Sequence, residues 1–385
     1  MKIDLPFHKA WLEEEEYLEV EDTLNSGWLT TGPKTKSFEE AFSSYIGCKH
    51  AIALNSCTAG LNLALAMHGF SEGDEVITTP MTFPATANVI LLQKMNPVLV
   101  DIEPGTLLID PKKIEEKITP KTRAIIPVHF AGHPCDMKAI NDLAEKYKLL
   151  VIEDAAHALE TKYKEKKIGN MGNITSFSFY ANKNITTGEG GMVVTNDDAL
   201  AKQFQVMRLQ GISRDAWKRY GKSGYTHWEQ TIAGHKCNMT DLNASIGIHQ
   251  LKKIDSFLNI RRKYVAMYDH GFADIPEIET LACHDKVDHA HHLYIIALRL
   301  EQLKVDRDGF LDAMQESGIG VAVHYIGLHL QPFYVKNFNT KSQDYPIASS
   351  YSERILSIPL YPKMSEADVE RVIETVRSLV TKFRR

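Results

Sequence analysis

The sequence predicts an α/β fold with a mostly parallel central sheet, followed by a smaller α+β domain. Short β-branched runs alternate with segments of helical length through the first two thirds of the chain, which is the pattern of a parallel sheet covered by helices. A long stretch with helical spacing follows over 242–268, and more strand and helix patterns come after it. We therefore predict a large domain over 1–255 and a small C-terminal domain over 256–385.

Each predicted element has a local signal. The acidic run Glu13 to Glu16 suits the first turn of an N-terminal helix, and Ser56 and Asp136 are predicted to cap the helices that follow them, over 59–67 and 137–148. Helices are also expected near 306–317 and 366–382 of the small domain. Strands are predicted at 51–54, 75–79, 97–100, 124–128 and 150–153 in the large domain, and at 293–298 and 320–324 in the small one.

The composition narrows the class of protein. The 385 residues are 44% hydrophobic and 24% charged, which is ordinary for a globular protein. A formal net charge of -5 gives no general attraction to nucleic acid, and no run approaches the roughly 20 apolar residues of a membrane span. The start lacks the pattern of a secretory signal, so we expect a cytoplasmic protein. Five widely spaced cysteines without a C-x-x-C pair favour reduced core thiols over disulfides or a metal site.

Lys183 and Asp154 are the most informative residues. Asp154 ends the apolar run that begins at Leu149, and Lys183 follows an alternation of aromatic residues and serines at 176–180, so both are expected where buried strands give way to loops. Such strand ends are where open α/β sheets bind ligands. A lysine amine forms a Schiff base with an aldehyde cofactor, while a carboxylate keeps a pyridine nitrogen protonated. The pair predicts pyridoxal phosphate (PLP) as the cofactor.

Other strand ends carry residues that suit such a cofactor. The stretch 55–60 follows a strand and opens a helix, an arrangement in which free backbone amides hold a phosphate, although a plain helix cap at Ser56 explains it equally well. Ser178 is placed to donate a second hydrogen bond to the phosphate. Phe83 follows another strand and can stack on a flat ring. His157 can donate to the phenolate oxygen of the cofactor.

Several motifs together resemble a known family over nearly the whole chain. They are SGWLTTGP at 26–33, GDEVIT at 73–78, EDAAHA at 153–158, KNITTGEGG at 183–191, DAW at 215–217 and HKCNM at 235–239. The chain resembles the DegT-type nucleotide-sugar aminotransferases. Within them it is most similar to the branch with the UDP-4-amino-4-deoxy-L-arabinose and spore-coat polysaccharide aminotransferases.

The resemblance implies a PLP enzyme of fold type I that moves an amino group from L-glutamate to a keto carbon of a nucleotide-linked sugar. By the same resemblance the carbon is number 4, the product serves lipopolysaccharide or another surface glycan, and the enzyme is a homodimer with shared active sites. The identity of the sugar and of the nucleotide, carbon 3 as the alternative to carbon 4, and the choice of pathway among lipopolysaccharide, capsule, spore coat and other glycans are left open. The one departure from the family motif is Cys57, which stands where relatives often have Gly, and little consequence is expected because the backbone amides remain available.

The resemblance also assigns roles to individual residues. Lys183 is expected to hold the cofactor covalently and to move protons, Asp154 to bond the pyridinium nitrogen, and His157 to lie near the phenolate oxygen. Walls for the nucleotide or sugar are expected at 329–334 and at 217–228. The remaining implied contacts are the phosphate with Thr58, Ala59, Ser178 and the partner subunit's Asn238, the cofactor ring with Phe83, and the substrate with His324 and Asn182.

Three alternatives compete with an aminotransferase. A sugar dehydratase of the same fold has histidine in place of the lysine, so Lys183 argues against it. A regulatory protein that only binds a ligand keeps the fold without the activity, but the intact Lys183 and Asp154 argue for catalysis. A nicotinamide-dependent dehydrogenase is excluded because no G-x-G-x-x-G turn joins the first strand to its helix.

Overall fold

The computed structural model describes residues 3–212 and 227–385. Helices and strands alternate through the large domain, as the sequence predicts. The helices are α1 (Glu14–Ser26), α2 (Pro33–Ile46), α3 (Cys57–Ala66), α4 (Pro84–Leu92), α5 (Pro111–Glu116), α6 (Met137–Tyr147), α7 (Asp198–Met207), α8 (Asp241–Phe272), α9 (Arg307–Glu316), α10 (Pro332–Phe338), α11 (Pro346–Arg354) and α12 (Glu366–Phe383). The strands are β1 (His50–Leu54), β2 (Glu75–Thr78), β3 (Asn96–Leu99), β4 (Thr122–Ile125), β5 (Leu150–Asp154), β6 (Lys162–Tyr163), β7 (Lys166–Lys167), β8 (Ile174–Ser178), β9 (Gly191–Thr195), β10 (Ile278–Thr280), β11 (Val287–Asp288), β12 (Tyr294–Leu298) and β13 (Ile355–Ile358).

A seven-stranded sheet forms the centre of the large domain in the described part of the chain, with the order β1-β9-β8-β5-β4-β2-β3. Strands β8, β5, β4, β2 and β3 pair in parallel, whereas β9 is antiparallel to both of its neighbours. Strand β1 therefore points the same way as the five parallel strands. The predicted α/β fold with a mostly parallel sheet is confirmed. The antiparallel β9 was not predicted.

Two smaller sheets, β10-β12-β13 and β11-β6-β7, complete the strand pairing among the described residues. The strand predicted at 320–324 is wrong. In this segment the backbone of Ile319 pairs with Leu5 and that of Ala322 pairs with Ser357. Because the hydrogen bonds are divided between two different neighbours, no continuous ladder forms. The third strand of the small sheet is instead β13, which was not predicted.

The long helix α8 joins two hydrophobic cores. Leu251 and Ile254 in its first half pack into the core around the large sheet. Tyr268 and Phe272 in its second half pack into a separate core beneath β12 and β13. Leu5 belongs to this second core as well, so the N-terminal segment crosses to the small domain. The domain boundary at 255/256 falls inside α8 and stays a prediction.

The positions of the cysteines and the hydropathy of the helices can be compared with the predictions from composition. Cys283 is exposed because it lies in the loop that follows β10, contrary to the expected core position, whereas the other four cysteines are buried. All five are free thiols. In the ranges 3–212 and 227–385, no helix is both long and apolar enough to cross a membrane, and no group of His, Cys, Asp and Glu is placed to hold a metal ion.

Candidate active site

A cavity of about 710 Å³ lies where the carboxyl ends of the large-sheet strands face the small domain. Its walls come from the segments that follow β1, β2, β4, β5 and β8, and from residues 323–331. Parallel strands bring their carboxyl ends to one edge of a sheet, which is why residues from distant parts of the chain meet here. The predicted site residues that line it are Thr58, Phe83, Asp154, His157, Ser178, Asn182, Lys183 and His324.

Lys183 is held in a tight loop that follows β8. Its backbone N–H donates to the Tyr180 carbonyl at 2.9 Å, which fixes the start of its side chain at the cavity wall. Burial lowers the pKa of Lys183 from 10.5 to about 8, while the Cys57 thiol and the Asp154 carboxylate act in the opposite direction. A lysine with such a pKa has a substantial neutral fraction near neutral pH, so its amine can act as a nucleophile.

Asp154 ends β5 and is buried at the base of the cavity. Its carboxylate accepts hydrogen bonds from the Thr86 hydroxyl at 2.8 Å and from the Ala156 backbone N–H at 3.1 Å. These donors fix the carboxylate and satisfy part of its capacity to accept hydrogen bonds. A carboxylate oriented in this way can also accept from an N–H group of a ring bound in the cavity.

The start of α3 forms another wall. Ser56 caps the helix, since its hydroxyl oxygen accepts from the Ala59 N–H at 3.1 Å. The Ala59 amide is therefore already used by the cap, and Ala59 does not line the cavity. The Thr58 side chain does. The first backbone amides of a ten-residue helix, together with the Thr58 and Ser178 hydroxyls, are a suitable donor set for a phosphate.

Close packing around the start of α3 accounts for the glycine at position 191 and for the orientation of the Cys57 thiol. A Cβ atom on Gly191 would lie 2.5 Å from the Cys57 nitrogen, so only glycine lets β9 pass so close to the helix. The Cys57 thiol points inward, 3.4 Å from the Ser176 carbonyl oxygen. Cys57, at the position where relatives often have Gly, also lines the cavity.

Phe83 and His157 occupy two further sides of the cavity. Phe83 is 60% exposed at the start of α4, an unusual position for a large apolar side chain and one that leaves its ring free to stack. His157 is buried, and its Nδ1 accepts from the Ala131 backbone N–H at 3.2 Å. A neutral imidazole with Nδ1 as acceptor carries its proton on Nε2, and Nε2 lies 3.3 Å from the Tyr325 hydroxyl.

The small domain supplies the opposite wall. The Nδ1 of His324 lies 2.9 Å from the Ser357 hydroxyl, and the ring stacks on Phe7 with centroids 5.4 Å apart. Burial and the charge of Lys183 lower the pKa of His324 to about 4, so this imidazole is neutral at pH 7. From the large domain, Asn182 lines the cavity in the loop that holds Lys183, and its Oδ1 is enclosed without a hydrogen-bond partner among the described residues.

The predicted phosphate contact Asn238 does not line this cavity. Asn238 is buried near α2, where its Nδ2 donates to the Thr31 hydroxyl at 2.6 Å. Its expected role is in the partner subunit's site, so one chain does not test it. Of the predicted walls, Gln331 lines the cavity, and Trp228 is 42% exposed. Trp217 and the rest of 213–226 lie outside the described residues.

Sequence reasoning missed Thr86, Tyr325 and His292. Thr86 binds Asp154, whereas Tyr325 and His292 line the cavity. His292 belongs to a histidine-rich run, 289–292, that has no spacing relation to Asp154 or Lys183. No sequence signal marks it, because only the fold brings the end of this run to the cavity.

These residues fit a flat aldehyde that carries a phosphate. The cavity offers a lysine amine with a lowered pKa, a fixed carboxylate, a helix start with hydroxyls beside it and an exposed aromatic ring. Asn182 adds a buried oxygen without a partner among the described residues. The donor set is thus suited to PLP.

Comparisons with known proteins agree with this geometry. Residues 11–377 match the family described as the DegT/DnrJ/EryC1/StrS aminotransferase family. The chain is 50% identical to an uncharacterized protein of Methanocaldococcus jannaschii over 380 residues, which is 99% of this chain and 98% of that protein. It is 47% identical to the spore coat polysaccharide biosynthesis protein SpsC of Bacillus subtilis over 377 residues, covering 98% of this chain and 97% of SpsC.

A solved structure gives the same result for the fold. The PMP form of Spr1654 from Streptococcus pneumoniae, a protein named as a sugar aminotransferase, superposes with a TM-score of 0.92 at 36% identity. The match covers 98% of this chain and 100% of that one. The same protein in its PLP form gives a TM-score of 0.91 at 35% identity, covering 98% of this chain and 99% of that one. The resemblance and the fold type I architecture predicted from the motifs are confirmed.

Proposed function

Because the chain belongs to the DegT/DnrJ/EryC1/StrS aminotransferase family, we propose that it is a PLP-dependent aminotransferase that uses L-glutamate to aminate a keto carbon of a nucleotide-linked sugar. Its similarity to SpsC supports a place in polysaccharide biosynthesis. The observation that carries the proposal is the joint presence of Lys183 and Asp154 in one cavity, with the pKa of the lysine lowered to about 8.

Lys183 and Asp154 have different roles in this reaction. When bound, PLP supplies an electron-accepting ring and an aldehyde that exchanges for an amine. Lys183 would hold the cofactor and, as a neutral amine, would take a proton from the α-carbon of the amino donor and return it on the cofactor side. Asp154 would accept the ring N–H, and its bonds from Thr86 and Ala156 keep the carboxylate in place for this contact.

The other cavity residues bind and orient. Thr58 and Ser178 are assigned to the phosphate at the start of α3, with the Ala59 amide held by the helix cap. Phe83 is assigned to the face of the ring. His157 carries a proton on Nε2, so it is a hydrogen-bond donor for an oxygen atom at the cavity wall, shared with the Tyr325 hydroxyl.

The substrate is assigned to the small-domain side. His324 of the small domain and Asn182 of the loop that holds Lys183 both line this cavity. Carbon 4 as the aminated carbon and a lipopolysaccharide or other surface glycan as the destination follow from the family branch. A homodimer in which Asn238 completes the phosphate site of the partner, and a cytoplasmic location, belong to the same proposal.

An absorption experiment tests the cofactor and the first half of the reaction together. The purified protein is saturated with PLP, and its visible band is followed while L-glutamate is added. We expect the band to form, to be lost with glutamate and to return with a nucleotide-linked ketosugar. A band that glutamate leaves unchanged contradicts the proposal and indicates another amino donor or another reaction. No band at all favours a protein that only binds a ligand.

Lys167 provides a matched control for Lys183. Burial lowers its pKa to about 8 as well, but its Nζ donates to the Tyr45 carbonyl and lies 3.0 Å from the centre of the Tyr45 ring, outside the cavity. Lys183→Ala should abolish the band and the turnover, whereas Lys167→Ala should retain both. Equal losses in the two variants would show that the fold, and not the cavity lysine, is responsible.

A further inference from the structure

His292 lies just before β12 and is buried at the wall of the cavity. Its ring packs against the ring of His157, with centroids 4.4 Å apart. Its Nδ1 lies 2.9 Å from the Oδ1 of Asn184, the residue that follows Lys183. His292 is therefore connected to the loop of the cavity lysine, although none of the predicted roles includes it.

The surroundings of Asn184 determine which nitrogen of His292 carries the proton. The Asn184 Nδ2 lies 3.0 Å from the Ala290 carbonyl oxygen and 2.7 Å from the Glu160 Oε2. A backbone carbonyl only accepts hydrogen bonds, so the amide nitrogen of Asn184 must face it and the amide oxygen must face His292. The Nδ1 of His292 is then the donor. The Nε2 of the neutral ring is left with a lone pair.

His292 lines the cavity, and its Nε2 has no hydrogen-bond partner among the described residues. Among the described residues, the ring makes its side-chain hydrogen bond through Nδ1, and Nε2 is not one of the enclosed polar atoms that lack a partner. Burial, with His157 next and the charge of Lys183 among the further causes, lowers the pKa of His292 well below its usual value, so the lone pair is retained at neutral pH.

The neighbouring His157 has the opposite arrangement. Its Nδ1 accepts a backbone N–H and its Nε2 donates, whereas the Nδ1 of His292 donates and its Nε2 accepts. Two adjacent imidazoles thus present one donor and one acceptor. Such a pair recognises a ligand that offers an acceptor oxygen next to an N–H or O–H group.

We propose that His292 is a substrate-binding residue whose Nε2 accepts a hydrogen bond from an N–H or O–H group of a substrate in the cavity. The inference rests on the proposed aminotransferase function and extends it to a residue of the cavity without an assigned role. Two sources supply such a donor, the amino group of the amino donor and a hydroxyl of the sugar. The two half-reactions separate them, because each substrate enters alone.

Two substitutions separate the role of Nε2 as a hydrogen-bond acceptor from the role of Nδ1 in the bond to Asn184. In His292→Asn, the amide nitrogen can take the place of Nδ1 and keep the bond to Asn184, but nothing replaces the Nε2 lone pair. In His292→Gln, the longer side chain offers an oxygen near the place of Nε2 and gives up the bond to Asn184. Each half-reaction is measured in a single turnover from the visible band, with L-glutamate on the PLP form and with the ketosugar on the aminated form.

We expect His292→Asn to slow one half-reaction by about tenfold, the size of one lost hydrogen bond, and His292→Gln to recover part of the rate. A loss confined to the glutamate step identifies the amino group as the donor, and a loss confined to the ketosugar step identifies a sugar hydroxyl. The melting temperature of the cofactor-free protein should be lowered more by His292→Gln, which breaks the bond to Asn184.

Two results would overturn the inference while leaving the proposed function intact. In one, His292→Asn changes neither half-reaction by as much as about fivefold, which is below the effect of a typical lost hydrogen bond. In the other, His292→Gln loses more rate than His292→Asn, and its melting temperature falls in parallel. The residue would then only hold Asn184 in place. A wild-type protein whose band does not respond to glutamate would instead refute the proposed function, and the inference with it.

Discussion

The lowered pKa of Lys183 predicts how fast the cofactor-free protein captures PLP at each pH. Only the neutral amine attacks an aldehyde. With a pKa of about 8, roughly 9% of the amine is neutral at pH 7, compared with about 0.03% at the ordinary value of 10.5. The cavity therefore raises the reactive fraction of Lys183 at pH 7 by about 300-fold.

Stopped-flow absorbance measures this directly. The cofactor-free protein is mixed with PLP from pH 6.5 to pH 10.5, and each rate is divided by that of Nα-acetyl-lysine at the same pH to remove the titration of the cofactor itself. We expect the absolute rate to rise with pH, by about fivefold between pH 7 and pH 8 as the neutral fraction grows, and then to level off. The ratio should fall above pH 8, because the reference amine continues to deprotonate.

The charge of Asp154 predicts in which direction the pH of the levelling point moves when this charge is removed. Its negative charge stabilises the ammonium form of Lys183 and so raises the pKa of the lysine. Asp154→Asn should therefore move the levelling point to lower pH, even though the variant turns over poorly once loaded. A rate that continues to rise above pH 9.5 in the wild type would refute the reasoning, since it would mean that the cavity does not desolvate the amine.

Further predictions concern stability and cofactor affinity. The pKa of Lys183 is lower in the folded state, so the unfolded chain binds more protons between pH 8 and pH 10.5; Lys183→Met should stabilise the cofactor-free protein against urea by about 1–3 kcal/mol at pH 7, and the gain should vanish above pH 10.5. Phe83 is 60% exposed, so Phe83→Ala should weaken PLP binding in a fluorescence titration while changing the unfolding free energy by less than about 0.5 kcal/mol. A Cβ on Gly247 would lie 2.7 Å from the buried Phe38 ring, so Gly247→Ala should destabilise by about 1–3 kcal/mol in thermal unfolding, despite the better helix propensity of alanine. Ser56→Ala removes the cap of α3 and should cost about 1 kcal/mol in the same assay, and a variant as stable as the wild type would contradict the cap.

The parts of the fold and site that could be predicted are those encoded locally. Asp154 ends an apolar run, and the strand it ends is parallel to its neighbours, so its position at the ligand-binding edge follows from the pattern alone. Lys183 follows β8, which is parallel to its neighbour β5, so its position at the same edge of the sheet is predicted in the same way. Strand β9 could not be predicted, because it depends on the fit of Gly191 against the start of α3 and on antiparallel pairing to β1.

The proton positions in the cavity could not be predicted, because they depend on contacts between distant segments. The donor role of His157 depends on the backbone N–H of Ala131. The acceptor role of His292 depends on the orientation of Asn184, which the carbonyl of Ala290 determines. A histidine in a sequence carries no mark of its tautomer, and only the neighbours given by the fold decide it.

The histidines near Lys183 share one electrostatic property that follows from their burial. Burial, helped by the charge of Lys183, lowers the pKa of His8 and of His324 to about 4, and those of His157 and His292 well below their usual value. All four are therefore neutral at pH 7. A charged imidazole in their place would lower the pKa of the lysine further and would compete with it for Asp154. With these rings neutral, the acidic and basic residues that line the cavity in the described part of the chain, histidines aside, are Lys183, Asp154 and Glu189, and the rings offer hydrogen-bonding nitrogens without charge.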